Sequence, residues 1–98
     1  MNAIEHHYLV VQGQVIREWR KQLHLTQEQL ADEAQISRTE EQYIEQAKRN
    51  PKVGTLKRIC MAMNHSYAEL VNRVEHLERN ESMPMPRRDR KNLNGQRL

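Results

Sequence analysis

Apolar side chains recur at every third or fourth position through the middle of the chain, which is the spacing of one face of an α-helix. The first series predicts a helix of roughly residues 11–23, whose inner face is Val11, Val15, Trp19 and Leu23. Later series are Leu30, Ala31 and Ala34; Leu56, Ile59, Cys60 and Met63; and Leu70, Val71, Val74 and Leu77. No segment carries a strand signal. The pattern predicts an all-α domain.

Hydroxyl residues stand where side chains can accept hydrogen bonds from the first turn of a helix. Thr26 is the predicted cap of the second helix. Ser37 and Ser66 are each followed three residues later by a glutamate, Glu40 and Glu69, which is the spacing of a capping box. These caps predict the starts of the second, third and fifth of five short helices.

Composition divides the chain into three zones, predicted as an N-terminal lead-in (1–10), a helical domain with an extended last helix (11–81) and a tail (82–98). The tail has five basic residues, one acidic residue and few apolar side chains, and it is predicted to be disordered. The total net charge is +3, so residues 1–81 carry −1. A basic composition is therefore no argument for a nucleic-acid partner of the domain itself.

Ninety-eight residues are enough for one small domain. A single cysteine, Cys60, excludes an intrachain disulfide and fits a reducing compartment. No apolar run approaches the roughly 20 residues needed to cross a bilayer. We therefore expect a soluble cytoplasmic protein with no membrane partner.

One ungapped stretch of about residues 13–72 carries a more specific signal. It contains the segments Leu25-Thr26-Gln27-Glu28-Gln29-Leu30-Ala31, Ile36-Ser37-Arg38-Thr39, Tyr43-Ile44-Glu45, Lys48-Arg49-Asn50-Pro51, Val53-Gly54-Thr55-Leu56-Lys57-Arg58-Ile59 and Tyr67-Ala68-Glu69-Leu70. These segments resemble the Cro/lambda-repressor-like (XRE-type) helix-turn-helix domains of bacterial and phage regulators. The resemblance implies five helices, of which the second and third form the helix-turn-helix.

The apolar residues around the proposed turn support the resemblance independently. Ala31 is small enough for the second and third helices to cross closely, and Ile36 and Ile44 are placed to anchor the third helix on the core. One face of the third helix then remains free to enter a major groove.

The resemblance assigns the DNA-contacting residues. It implies that bases are contacted by Arg38, Thr39, Gln42 and Tyr43, and the DNA backbone by Gln27, Lys48, Arg49 and Lys52. Arginine binds guanine, glutamine binds adenine and the threonine methyl contacts thymine. Solvated surface is the alternative role for the polar residues, and half-buried packing is the alternative for Tyr43.

Arg20 and Glu45 resemble the family's buried ion pair between the first and third helices, and their role is expected to be structural.

The chain departs from the family pattern at two kinds of position. His24, Gln35 and Ala47 occupy turns where the family usually has glycine, and Ala47 suggests that the third helix continues by a residue or two. Glu41 stands where the family packs an apolar residue on the core. Either this carboxyl takes up a proton, or it reaches an arginine or histidine, or the third helix is rotated or loosened.

Several other classes of function lack support in the sequence. The five histidines have no metal-ligand spacing, and Cys60 on an inner helix face is expected to be an inert thiol. No nucleophile motif, phosphate loop or paired-carboxylate pattern is present. We therefore predict no metal, no cofactor and no enzymatic activity.

The expected function is that of a sequence-specific, repressor-like transcriptional regulator that binds double-stranded DNA as a homodimer through Val74 and Leu77. Antitoxins use the same domain, and residues 82–98 are the candidate segment for a protein partner. The alternative is a protein-interaction module with weak or lost DNA binding, because Glu40 and Glu41 oppose phosphates and favour a basic partner.

Overall fold

In a computed structural model that describes residues 2–80, the chain forms five α-helices. They are α1 (Ala3–Gln22), α2 (Gln27–Ala34), α3 (Arg38–Glu45), α4 (Val53–Ala62) and α5 (Tyr67–Asn80). No strand is present in this part of the chain, so the all-α prediction is confirmed. The predicted disordered tail, residues 82–98, lies outside the described residues.

The first helix begins eight residues earlier than the predicted start at Val11. Asn2 caps it, since its side chain accepts a 2.8 Å hydrogen bond from the Glu5 backbone, and Glu5 reaches back to the Asn2 backbone. This reciprocal bonding is a capping box built on asparagine. Residues 3–10 are therefore helical, which corrects their description as a separate lead-in.

Hydroxyl caps open three of the other helices, as predicted. Thr26 forms a complete capping box with Gln29, and Ser66 forms one with Glu69. Ser37 accepts a 3.0 Å hydrogen bond from the Glu40 backbone, but the Glu40 side chain does not return the bond. The capping box expected at α3 is thus only half formed, because this carboxylate has another partner.

The helices α1 to α4 all end in the same way, on a residue with left-handed backbone torsions. The four residues are His24, Gln35, Ala47 and Asn64, with φ between 59° and 64°. In each case the following N–H bonds back to the carbonyl five residues before it, as in a Schellman motif. The continuation of α3 suggested by Ala47 is wrong, since α3 ends at Glu45.

One core is shared by all five helices. α1 packs against α3 and α5, α2 packs against α3 and α4, and α4 packs against α5. The core residues are Val11, Val15, Ile16, Leu30, Ala34, Ile44, Leu56, Ile59, Cys60, Met63, Leu70 and Val74. Leu23, expected on the inner face of the first helix, is exposed. Within residues 2–80, no helix has the length and apolar character to span a membrane.

Candidate nucleic-acid interface

One face of α3 carries the residues that the sequence assigns to DNA bases. Arg38, Thr39 and Gln42 are exposed, and Tyr43 is half-buried at the edge of the same face. The opposite face is enclosed by the domain, since Glu41 and Ile44 are buried. The helix therefore presents a polar surface outward while its apolar side is held in the core.

A close approach between α1 and α3 sets the position of this surface. A Cβ atom added to Gly13 would lie 2.6 Å from the carbonyl oxygen of Glu45 and 2.9 Å from that of Ile44. Both oxygens belong to the backbone and cannot rotate away as the end of a side chain can. Only glycine allows α1 to pass so near the end of α3, so Gly13 fixes the depth at which α3 sits.

An ion pair binds the same two helices. Arg20 donates from Nε to Oε2 of Glu45 at 2.7 Å and from Nη2 to Oε1 at 3.0 Å, a bidentate contact. Its third nitrogen, Nη1, donates to the carbonyl of Leu25 at 2.8 Å. The side chains of Arg20 and Glu45 are 10% and 3% exposed. This geometry gives the pair the structural role expected for it.

Gln27, assigned to the DNA backbone, joins this network from the start of α2. Its amide nitrogen donates to Oε1 of Glu45 at 3.1 Å, and the residue is half-buried. One of the two N–H donors of the amide is therefore used within the protein. The other is the donor available to a phosphate oxygen.

Glu41 is fully buried, and neither of its carboxyl oxygens has a donor from another residue. Burial, reinforced by the interaction with the nearby Glu45 carboxylate and its negative charge, raises the pKa of Glu41 to about 10. The carboxyl therefore keeps its proton at neutral pH.

The same interaction affects Glu45. Burial acts to raise the pKa of Glu45, but its interactions with Glu41 and its hydrogen bonds from Arg20 and Gln27 outweigh burial, and the pKa is lowered. Of the alternatives left open by the sequence, proton uptake by Glu41 is the one that the structure supports. α3 keeps its expected face outward.

The loop after α3 carries three basic residues, and two of them lie beside Tyr43 at the edge of this surface. Lys48, Arg49 and Lys52 are all exposed. The Lys48 ammonium lies 6.0 Å and the Arg49 guanidinium 5.2 Å from the centre of the Tyr43 ring, so the ring is flanked by two cations. Tyr43 thus has both expected features, since it is half-buried and lies on the outer surface.

The three glutamates of α3 leave little free negative charge at this surface. Glu41 is protonated and buried, and Glu45 is paired with Arg20. Glu40 forms a 2.9 Å ion pair with Arg49, and its side chain is 22% exposed. Although α3 contains more acidic than basic residues, its exposed surface therefore carries little free negative charge.

The two residues predicted to form a dimer contact lie in different environments. Val74 has no exposed surface, because it closes the core beside Leu70. A side chain with no accessible surface cannot contact a second copy of the chain, so the predicted dimer contact at Val74 is wrong. Leu77 is half-buried against the edge of the core and remains partly accessible.

Sequence reasoning missed two structural contacts of this site. The close contact of Gly13 involves carbonyls more than 30 residues later, and the sequence signal was a lone glycine within a helical pattern. Arg58 of α4 donates from Nε to the carbonyl of Ala34 at 3.0 Å and so satisfies the end of α2. No local pattern indicates that bond.

The described part of the chain offers no candidate site for metal binding or for a nucleophilic thiol. Residues 2–80 contain no group of three or more side chains that could hold a metal ion. Cys60 is buried, and this burial, with a smaller effect of Glu69, raises the pKa of its thiol to about 11. A thiol with so high a pKa is a poor nucleophile at neutral pH.

The fold and the exposed face of α3 define the class of the domain, which is helix-turn-helix. A family profile with that description matches residues 16–70, more than half of the chain, and the chain belongs to this family. The resemblance found in the sequence is thereby confirmed. The family is one of DNA-binding domains, which agrees with the prediction that the chain is not an enzyme.

Comparison with solved structures supports the same fold. The crystal structure of the clp gene regulator ClgR from Corynebacterium glutamicum is similar, with a TM-score of 0.70 and 18% sequence identity. The match covers 74% of this chain and 78% of that chain. Comparison with curated proteins gives no match.

Proposed function

We propose that the protein is a sequence-specific DNA-binding transcriptional regulator that places α3 in the major groove. One observation carries this proposal: Arg38, Thr39 and Gln42 are exposed together on α3, and the helix is firmly held from behind. Membership of a helix-turn-helix family supports DNA as the ligand. The similar fold of a solved gene regulator is consistent with a regulatory role.

Each base-contacting residue has a chemical task in this proposal. The Arg38 guanidinium donates two hydrogen bonds to a guanine, and the Gln42 amide pairs with an adenine. Thr39 contacts a thymine methyl group, and Tyr43 borders the same surface. All four side chains come from α3, so their spacing along the groove is set by the helix.

The DNA backbone is held on both sides of α3. Gln27 offers one N–H at the start of α2, and Lys48, Arg49 and Lys52 follow α3 in the loop. Phosphate contacts of this kind fix the orientation of the domain and add affinity without selecting a sequence.

The salt dependence of binding to a random-sequence duplex tests the proposal. The logarithm of the association constant should fall linearly with the logarithm of salt concentration, by about 0.9 per phosphate neutralised. Lys48→Ala and Lys52→Ala should each reduce the slope by about 1. Arg73→Ala is the matched control, because this exposed residue lies on α5, which packs mainly against α1 and α4.

The competing function is a protein-interaction module on the same scaffold. It is motivated by the acidic residues of α3, but the raised pKa of Glu41 and the ion pairs of Glu45 with Arg20 and of Glu40 with Arg49 reduce the free negative charge on which this alternative depends. Absence of detectable duplex binding even at low salt would contradict the DNA-binding proposal and favour the module.

We further propose that the regulator acts as a homodimer, since two-fold regulators bind palindromic half-sites. Leu77 is the remaining candidate for the contact, because it lies on α5 beyond the helix-turn-helix match and is partly accessible. Sedimentation at tens of micromolar should show a dimer that Leu77→Ala weakens. A monomer for the unaltered protein would contradict this.

The remaining parts of the proposal concern the cellular role. The protein is proposed to be repressor-like and cytoplasmic. In an antitoxin variant of the same function, residues 82–98 bind a partner protein. Affinity capture from the native host, with the full chain compared to a chain ending at residue 81, tests the tail. If the truncated chain captured the same partner proteins as the full chain, that assignment would be contradicted.

A further inference from the structure

One of the three loop cations at the proposed interface is already engaged by an anion of the protein. Nη1 of Arg49 lies 2.9 Å from Oε1 of Glu40, and the guanidinium also lies 5.2 Å from the Tyr43 ring centre. The Arg49 side chain is 48% exposed and that of Glu40 is 22% exposed. The pair therefore lies at the surface, on the border that a phosphate would approach.

The ion pair of Glu40 with Arg49 is not part of the cap of α3. Its backbone N–H is satisfied by Ser37, and its carboxylate leaves the reciprocal capping position unused. In the first turn of α3 the carboxylate is favoured by the partial positive charge of the helix N-terminus. An exposed ion pair of this kind contributes little to folding stability, since solvent screens it.

We propose that Glu40 limits the affinity of the protein for DNA by competing with a phosphate for the Arg49 guanidinium. This inference rests on the proposed function and specifies how its affinity is set. To bind a phosphate, Arg49 must release Glu40 or leave that carboxylate next to the phosphate. Either arrangement weakens the complex, because two anions then share one cation or one anion loses its partner.

The competition gives Glu40 an effect opposite to that of the other polar residues at the interface. Removing its charge frees Arg49 for a phosphate, while the shape of the side chain is kept in Glu40→Gln. We expect Glu40→Gln to tighten binding to duplex DNA roughly three- to tenfold. The salt slope should become steeper by about 1, as for one additional phosphate contact.

The experiment measures duplex affinity at several salt concentrations for four full-length proteins. These are the unaltered protein, Glu40→Gln, Arg49→Ala and the double variant. Thermal unfolding checks that each is folded. Glu75→Gln removes the same charge from an exposed site on α5, which packs mainly against α1 and α4, and it should leave affinity within twofold. In the Arg49→Ala background the gain from Glu40→Gln should largely disappear.

Two results separate this inference from the proposed function. If the unaltered protein binds duplex DNA and Glu40→Gln binds equally or more weakly, Glu40 does not compete, and the inference is overturned. The same holds if the gain persists without Arg49. If neither protein binds duplex DNA at low salt, it is the proposed function that fails.

Discussion

At the scale of single residues, Glu41 shows how the core accommodates an acid in a place suited to an apolar side chain. The carboxyl has no exposed surface, and its oxygens have no hydrogen-bond partner in the described structure. It lies one turn before Glu45, which accepts hydrogen bonds from Arg20 and Gln27. Glu41 is accommodated because burial and the negative charge of Glu45 keep it protonated, and therefore uncharged, at neutral pH.

The raised pKa of Glu41 predicts an unusual dependence of stability on pH. The folded protein holds this proton up to about pH 10, whereas the unfolded chain loses it near the ordinary value of 4.5. The stabilisation is therefore complete below the unfolded pKa and is lost as pH rises towards the folded pKa.

Glu41→Gln keeps the size and polarity of the side chain next to Glu45 but does not titrate. The difference in free energy of unfolding, variant minus unaltered protein, should grow in favour of the variant as pH rises. The growth should be up to about 1 kcal/mol per pH unit between about pH 5 and pH 9. Chemical denaturation of both proteins across this range measures the difference, in which contributions from groups common to both cancel. A difference that does not change with pH would show that Glu41 is ionised in the folded state.

Gly13 and Gly54 form a matched pair of helical glycines in different surroundings. Gly13 faces backbone carbonyls at less than 3 Å from a potential Cβ atom, and Gly54 has nothing within 4 Å. Gly13→Ala should therefore destabilise the protein by about 1–3 kcal/mol, because α1 must move away from α3. Gly54→Ala should stabilise it by about 0.5–1 kcal/mol through helix propensity. Urea unfolding measures both, and equal effects of the two substitutions would contradict the close approach.

At the scale of helices, the left-handed ends of α1 to α4 make sharp turns without glycine. Three of these residues, His24, Gln35 and Ala47, stand where the family usually has glycine, and their positive φ carries a backbone strain that glycine avoids. Asn64 is the fourth, and asparagine tolerates these torsions better than most residues. The chain therefore keeps the turn geometry of its family at some cost in stability.

Gln35 provides a clean test of that cost, because it is exposed and has φ of 61°. Gln35→Gly should stabilise the protein by about 1 kcal/mol, since glycine adopts left-handed torsions without strain. Glu33→Gly, two residues earlier on the exposed side of α2, should destabilise it by about 1 kcal/mol. Thermal melts of the two variants measure this contrast. Destabilisation by both would mean that the turn is not strained.

The helix boundaries show what local patterns reveal and what they miss. Thr26, Ser37 and Ser66 were recognisable caps, because each precedes an apolar helical series. Asn2 was missed, because the first turns of α1 beyond the core have little apolar periodicity. The Glu40 side chain leaves its capping position for Arg49, a partner nine residues later that no spacing rule indicates.

At the scale of the whole molecule, the family resemblance predicted the five-helix fold and the outward face of α3. Of the residues that it assigned to DNA, Arg38, Thr39 and Gln42 are exposed on that face, and Lys48 and Arg49 lie beside Tyr43 at its edge. What it could not predict depends on distant contacts: the approach of Gly13 to α3 and the burial of Val74. The sequence identified Glu41 as anomalous, but how its carboxyl is accommodated depends on its proximity to Glu45 within the folded core, which the sequence does not show.

The central claim is that α3 selects DNA sequence through exposed side chains on one face. The most direct measurement is selection of bound duplexes from a random-sequence pool by the unaltered protein, Arg38→Ala and Lys52→Ala. We predict one enriched motif for the unaltered protein. Arg38→Ala should lose the preference at one base and about 1–3 kcal/mol of affinity, while Lys52→Ala should keep the motif and bind more weakly overall. An absence of any enriched motif, or an identical motif and affinity for Arg38→Ala, would contradict the claim.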